Sequence, residues 1–203
     1  MSAPAPAGPP DVPPLRAAVF FDRDGTLTRE IDWVTSADDL ELLDGAADAV
    51  ARVNRAGFAA IVVTNQSAVA RGMLSEPELE RVHDELRRRL LHAGARLDGV
   101  YACPHHPTEG EPPYRRECEC RKPKSGLIRR AARELALDLS RSWVVGDAER
   151  DLLCGFALGV PGILVSTGKG RSESERLRAL GRAPEHIVAD VGAAVDRILA
   201  QGK

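Results

Sequence analysis

Two aspartates stand two residues apart in Asp22-Arg23-Asp24-Gly25-Thr26, directly after the apolar run Ala17–Phe21. Carboxylates this close at a strand end can share a metal ion, and one can attack as a nucleophile while the other moves protons. Asp/Gly pairs also build ordinary turns, so the reading depends on what accompanies them. Thr64-Asn65-Gln66-Ser67 follows a second apolar run, Ala59–Val63, and offers a hydroxyl and backbone N–H groups to an anion. Arg121-Lys122-Pro123 offers a guanidinium fork and a point charge for phosphate oxygens. Gly146-Asp147 follows a third run, Trp143–Val145, and supplies another carboxylate. Asp151, one helical turn on, either supports a metal site or meets the positive end of a helix.

A second cluster has different chemistry. Cys103-Pro104-His105-His106-Pro107 precedes Cys118-Glu119-Cys120, giving a C-x-H pair and a C-x-C pair. Three thiolates and one imidazole complete a tetrahedral Zn²⁺ site with no open position, which is the structural type. The loop between the pairs contains Gly110, Pro112 and Pro113 and no evident core, so it needs a staple. His105 makes the C-x-H pair; His106 falls to a supporting or solvent-facing place. Cys154, within the apolar Leu152–Leu158 stretch, reads as a core thiol.

These groups need elements to position them. Apolar runs at Ala17–Phe21, Ala59–Val63, Gly99–Ala102, Trp143–Val145, Gly162–Val165 and His186–Val188 suit strands covered on both faces. Helical patterns lie between or after them at Ala46–Ala56, Ser75–Ala93, Ser125–Leu135, Arg150–Leu158 and Val191–Ala200. Ser75 and Glu78 have capping-box spacing, and Gly57 ends the first helix. Strands alternating with helices predict an α/β doubly wound, Rossmann-like parallel sheet, in which ligands bind beyond the C-terminal ends of the strands. The chemistry-bearing residues all follow strand runs or open a helix.

Composition narrows the classes. The chain has 203 residues, 43% hydrophobic and 29% charged, with a net charge of −2 and 4% aromatics. The charge balance argues against a nucleic-acid-coating protein and the few aromatics against a base-stacking surface. No run approaches a membrane-spanning length, so no membrane partner is expected. Residues 1–15 read as a disordered Pro/Ala-rich tail, since six of the 14 prolines fall in the first 14 residues. Residues 16–203 read as a single domain carrying a metal loop at 103–120. The tail has neither a basic nor an apolar export region, so a cytoplasmic, reducing setting is expected, in which thiols serve better as ligands than as disulfides.

Taken together, the order of acids, hydroxyl, lysine and acid resembles the haloacid dehalogenase superfamily of phosphohydrolases, over roughly Ala17 to Lys169. With the Cys-Pro-His-His-Pro and Cys-x-Cys-Arg-Lys-Pro segments, it is similar to the D,D-heptose 1,7-bisphosphate 7-phosphatases, whose near relatives are the histidinol-phosphate phosphatases. The resemblance implies a small monomer with a minimal cap acting on a phosphorylated sugar. It implies Asp22 as nucleophile, Asp24 as proton donor and acceptor, and Thr64 with Lys122 holding the phosphoryl group. Mg²⁺ would be held by Asp22, Asp147 and the backbone carbonyl of Asp24, and Zn²⁺ by Cys103, His105, Cys118 and Cys120. Glu30, Ile31, Asp32 and Trp33 match a substrate loop, Thr64, Asn65, Gln66 and Ser67 line the phosphate pocket, and Arg121 meets the substrate's distal end.

The chain departs from that family in having Thr28 for a frequent asparagine, Asp32 and Trp33 for a glycine and a tyrosine, and Ala148 for a lysine. These changes bear on sugar specificity more than on phosphate chemistry. The rival readings are a histidinol-phosphate or other small sugar-phosphate phosphatase, a polynucleotide 3′-phosphatase, and a zinc-stabilised binding module that would not need Asp22, Asp24, Lys122 and Asp147 together.

Overall fold

The computed structural model describes residues 15–184 and 186–201. Six strands, β1 (Arg16–Phe21), β2 (Ala59–Asn65), β3 (Gly99–Cys103), β4 (Leu137–Gly146), β5 (Gly162–Val165) and β6 (Ile187–Val188), form one parallel sheet in the order β3-β2-β1-β4-β5-β6. Six helices connect or follow them: α1 (Ala46–Arg55), α2 (Glu76–His92), α3 (Gly126–Glu134), α4 (Glu149–Phe156), α5 (Gly170–Ala179) and α6 (Val191–Gln201).

The continuous apolar runs follow from coverage on both sides. Along β1, Val19 and Phe21 join the layer under α1, α2 and α6, whereas Ala18 and Phe20 join the layer under α3 and α4. All four are fully buried, so alternation has nothing polar to show. The expected capping box opens α2: Ser75 Oγ accepts from the Glu78 N–H, and Glu78 Oε2 accepts from the Ser75 N–H at 2.6 Å.

Two elements depart from the sequence expectation. No helix is expected at 170–179, yet α5 stands there. Its buried residues are Gly170, Ser174 and Leu177, too few apolar positions to make a periodic signal. β4 begins six residues before the expected Trp143. Leu137 and Asp138 pair with Arg16 and Ala17 of β1, the register then shifts before Trp143, Ser140 and Arg141 are exposed, and the Ser142 hydroxyl accepts the Ala18 N–H at 2.9 Å. The expected tail lies outside the described residues except for Leu15, which is exposed. Among the described residues, no helix is long and apolar enough to cross a membrane.

The sheet order reverses direction at β1. The crevice between β1 and β4, where the connections run to opposite sides, is the ligand position this topology favours. Phe21 is in register with Val145, and the Asp22 N–H donates to Val145 O at 2.9 Å. The first acid of the Asp-x-Asp pair and the acid of Gly146-Asp147 are therefore neighbours by strand pairing alone.

Candidate active site

The carboxylates converge at that crevice. Asp22, Asp147 and Asp151 bring one oxygen each to within 4.8 Å of one another, and all three are buried. Lys122 lies among them. Its Nζ donates to Val63 O at 2.9 Å and forms ion pairs at 2.8 Å with Asp22 Oδ1 and Asp151 Oδ1. Burial alone would pull the Lys122 ammonium down, but Asp151 and Asp22 more than offset it and hold it raised. Asn65 clamps the same lysine through its backbone, accepting the Lys122 N–H at 3.0 Å and donating to Lys122 O at 3.1 Å.

The acids are not neutralised by one lysine. Burial, then repulsion from Asp151, raises the Asp22 carboxyl to about 6 despite Lys122. Burial, then Asp22 and Asp151, raises Asp147 to about 7. Asp147 Oδ2 accepts the Lys169 N–H at 2.8 Å, but its Oδ1 is buried with no hydrogen-bond partner. Gly25 and Gly168 close over it with left-handed φ of +80° and +54°, and a Cβ on either would come 2.2 Å from Asp147 Oδ2. Buried carboxylates that repel one another, with an orphaned oxygen, form a donor set suited to a hard divalent cation such as Mg²⁺.

Asp24 turns a different way. Arg23, fully buried, forks its carboxylate through Nε and Nη2 at 2.9 Å each. Gln66 donates to Asp24 Oδ2 at 2.8 Å and to Thr64 Oγ1 at 2.9 Å, and Thr28 Oγ1 donates to Asp24 Oδ1 at 3.2 Å. The side chain of Asp24 is thus separate from the three-acid cluster, and only its backbone remains for a metal. Thr28, the departure from a frequent asparagine, is used in orienting Asp24.

A cavity of about 210 Å³ opens above these groups. All the expected substrate and phosphate positions line it: Glu30, Ile31, Asp32 and Trp33 from the loop after β1, Thr64 to Ser67 after β2, and Arg121 with Lys122 before α3. Trp33 is partly exposed, and the Arg71 guanidinium sits over its ring at 4.9 Å while also pairing with Glu109 at 3.5 Å. Arg121 donates to His105 O at 3.0 Å, which ties the phosphate-side cations to the cysteine loop. Two lining cations were not expected from sequence, Arg150 and Lys169. Lys169 pairs with Glu30, and it follows β5 closely, so the strand-end rule applied to that strand would have found it. Arg150 sits in the first turn of α4, where it reads as an ordinary helical surface residue.

The cysteine loop gathers as expected. Cys103, His105, Cys118 and Cys120 bring their donor atoms within 4.8 Å of one another. The sulfurs lie 3.2–3.6 Å apart, and His105 Nδ1 is 3.2 Å from Cys120 Sγ. His105 Nε2 faces Arg116 at 2.8 Å, so Nδ1 is the nitrogen turned to the sulfurs. Hydrogen bonds with Cys103, and then with Cys118 and His105, hold the Cys120 thiol down to about 5, while Cys103 is pushed up. The soft, converging donor set fits Zn²⁺. His106 points elsewhere, its Nδ1 accepting the Glu109 N–H at 3.0 Å. Cys154 is buried, pushed up to about 12 by burial, and donates to Asp151 O at 2.9 Å.

Comparison with known proteins then decides the family. The D-glycero-β-D-manno-heptose-1,7-bisphosphate 7-phosphatase of Pasteurella multocida (strain Pm70) is 38% identical over 166 residues, covering 81% of this chain and 90% of that protein. The protein of the same name from Escherichia coli (strain K12) is 39% identical over 153 residues, 75% of this chain and 80% of its own length. The chain belongs to the heptose bisphosphate phosphatase family. Residues 119–194 match the HAD-hydrolase-like family model. Among solved structures, the D,D-heptose 1,7-bisphosphate phosphatase from B. bronchiseptica, complexed with magnesium and phosphate, superposes with a TM-score of 0.79 at 34% identity. It covers 91% of this chain and 99% of its own. For a heptose bisphosphate phosphatase family member, the crevice at the β1/β4 switch point carries the expected motif residues in one place.

Proposed function

We propose that this chain is a Mg²⁺-dependent phosphatase that removes the 7-phosphate of D-glycero-D-manno-heptose 1,7-bisphosphate, a step in the biosynthesis of nucleotide-activated heptose. The observation that carries the reading is Asp22 at a strand end, with Lys122 at 2.8 Å and Asp147 and Asp151 beside it. Lys122 and the Arg23 N–H both hold Asp22 Oδ1, the latter at 2.7 Å. The other oxygen receives no hydrogen bond from any described residue, which leaves the carboxylate oriented and able to attack phosphorus.

In the first step an Asp22 oxygen bonds to phosphorus as the bond from phosphorus to the sugar oxygen breaks, and Asp24 delivers a proton to that oxygen. In the second step water attacks the aspartyl-phosphate, Asp24 takes its proton, and phosphate leaves Asp22 restored. Gln66 and Arg23 fix the direction of Asp24 for both transfers. Thr64 and Lys122 hold the phosphoryl oxygens, and Ser67 completes that wall. Mg²⁺, held by Asp22, Asp147 and the Asp24 carbonyl, would offset the repulsion between a carboxylate and a phosphate dianion. Zn²⁺ at Cys103, His105, Cys118 and Cys120 would staple the loop that leads into Arg121 and Lys122. Arg121 faces the substrate's distal phosphate, and Trp33 offers a ring to the sugar.

A phosphate-release screen with Mg²⁺ tests the reading. It includes both anomers of the heptose bisphosphate, fructose 1,6-bisphosphate, histidinol phosphate and a 3′-phosphorylated oligonucleotide. The heptose bisphosphates are expected to give the highest kcat/KM. Faster release from histidinol phosphate or from the oligonucleotide would replace this assignment.

A further inference from the structure

Four cations line the cavity, Arg121, Lys122, Arg150 and Lys169. Three are engaged within the protein. Lys122 is held by Val63 O, Asp22 and Asp151; Arg121 donates to His105 O; Lys169 pairs with Glu30. Arg150 is different. Its single charged contact is Asp151 Oδ1 at 3.9 Å, and it donates no hydrogen bond to any described residue. A guanidinium has five N–H donors in a rigid plane, and here they are left open to the cavity, available to an anion with several oxygens.

Its surroundings indicate what arrives. Arg150 lines the same cavity as Asp22 and Glu30, so its side chain faces the site, where the acids Asp151, Asp22, Asp147 and Glu30 act on it. Arg121 and Arg150 also feel each other as like charges. Two guanidinium groups on one cavity, with no carboxylate joining them, form a receptor for an anion with several oxygens. Depth separates this anion from the one that reacts. Asp22 and Lys122 are only 4% and 3% exposed and form the floor, whereas the Arg150 side chain is 41% exposed and stands nearer the mouth. A substrate whose reacting phosphate lies on the floor extends past Arg150.

We propose that Arg150 is a specificity-determining residue that, together with Arg121, grips the untransferred phosphate of a sugar bisphosphate through its guanidinium fork. The proposal rests on the sugar-bisphosphate reading above.

The test compares kcat/KM for the heptose 1,7-bisphosphate and for the heptose 7-phosphate that lacks the second phosphate. It uses the full chain, Arg150→Ala and Arg150→Lys, with thermal unfolding to check that each variant folds. A charge-assisted bidentate contact predicts that the bisphosphate-to-monophosphate ratio falls about tenfold or more in Arg150→Ala. Arg150→Lys restores only part of it, because a point charge lacks the fork. Competitive inhibition by a sugar 1-phosphate is expected to weaken in parallel. A ratio unchanged in Arg150→Ala, through no effect or through equal loss on both substrates, overturns the role of Arg150 while leaving the bisphosphate reading standing. A ratio near one in the unaltered enzyme overturns the bisphosphate reading itself and the proposal with it.

Discussion

Lys122 Nζ stands 2.8 Å from Asp22 Oδ1, with both side chains almost completely buried. The two residues lie 100 positions apart in sequence, and the ammonium reaches the carboxylate because β1 and β2 are adjacent and Asn65 clamps the Lys122 backbone. The pair restrains the carboxylate and, in the proposed mechanism, places a cation where phosphoryl charge would arrive.

Lys122→Ala is expected to lower kcat by about 10²–10³-fold on mono- and bisphosphates alike, since it removes a charge at the transferred group. It also leaves Asp22 and Asp151 without their cation. Removing one partner of a buried pair costs about 3–5 kcal/mol. Because the acids can escape by taking up protons, the loss measured by urea unfolding should be larger at pH 8 than at pH 5. Equal loss at both values would mean that the ion pair does not hold these acids.

Asp22→Asn is expected to abolish turnover with the fold retained, as an amide does not attack phosphorus. Burial disfavours the ionised Asp22 carboxyl and Lys122 keeps its pair with Asp151, so this substitution should change the melting temperature little, unlike loss of the lysine. Asp24→Asn should lose most activity yet accumulate some aspartyl-phosphate, seen as a phosphorylated species by mass spectrometry of acid-quenched enzyme. Phosphate release by Asp22→Asn within tenfold of the unaltered enzyme would end the covalent mechanism.

Metal analysis of protein purified without added zinc should find about one zinc per chain. Cys118→Ser should lose it and Cys154→Ser should keep it. Because Arg121 bonds to His105 O, zinc loss is expected to raise KM for the bisphosphate as well as lower stability. Zinc retained at full occupancy in Cys118→Ser would refute the ligand set.

His83 gives a pH prediction away from the metals. It lies buried on α2, and burial, then the Arg23 charge, lowers it to about 4, with Arg87 adding and Glu80 opposing. The unfolded chain takes up this proton near pH 6.5 and the folded chain only near pH 4. Stability tied to His83 is therefore complete above pH 6.5 and falls as pH drops toward 4, by about 3 kcal/mol across that window. The stability difference between the unaltered protein and His83→Leu, followed by urea titration from pH 7 to pH 4, should shift toward the variant by that order. A difference independent of pH would place His83 outside this balance.

The motif residues were legible in the sequence because chemistry restricts their types and because strands punctuate them. Asp22, Thr64 and Asp147 each follow an apolar run, and a parallel sheet sends all such ends to one side. The two cysteine pairs were legible for a similar reason, since soft donors at short spacing can converge on one point, and in the fold they do. The six strand positions and five of the six helices followed from apolar periodicity; α5 did not, because it buries mainly Gly170, Ser174 and Leu177.

Tertiary structure alone decided the rest. Sequence offered two places for Asp151; in the fold it accepts the Ala148 N–H at the start of α4 through Oδ2, and its Oδ1 pairs with Lys122, a contact the sequence did not indicate. Arg23, the residue between two aspartates, carries no sequence signal, yet it is fully buried and forks Asp24. Lys169 and Arg150 come to the cavity from the turn between β5 and α5 and from α4. Sequence spacing records which groups a chain owns and the local element each belongs to. Which charges face one another depends on sheet order and strand register, set by packing between residues far apart in the chain, and that no local pattern contains.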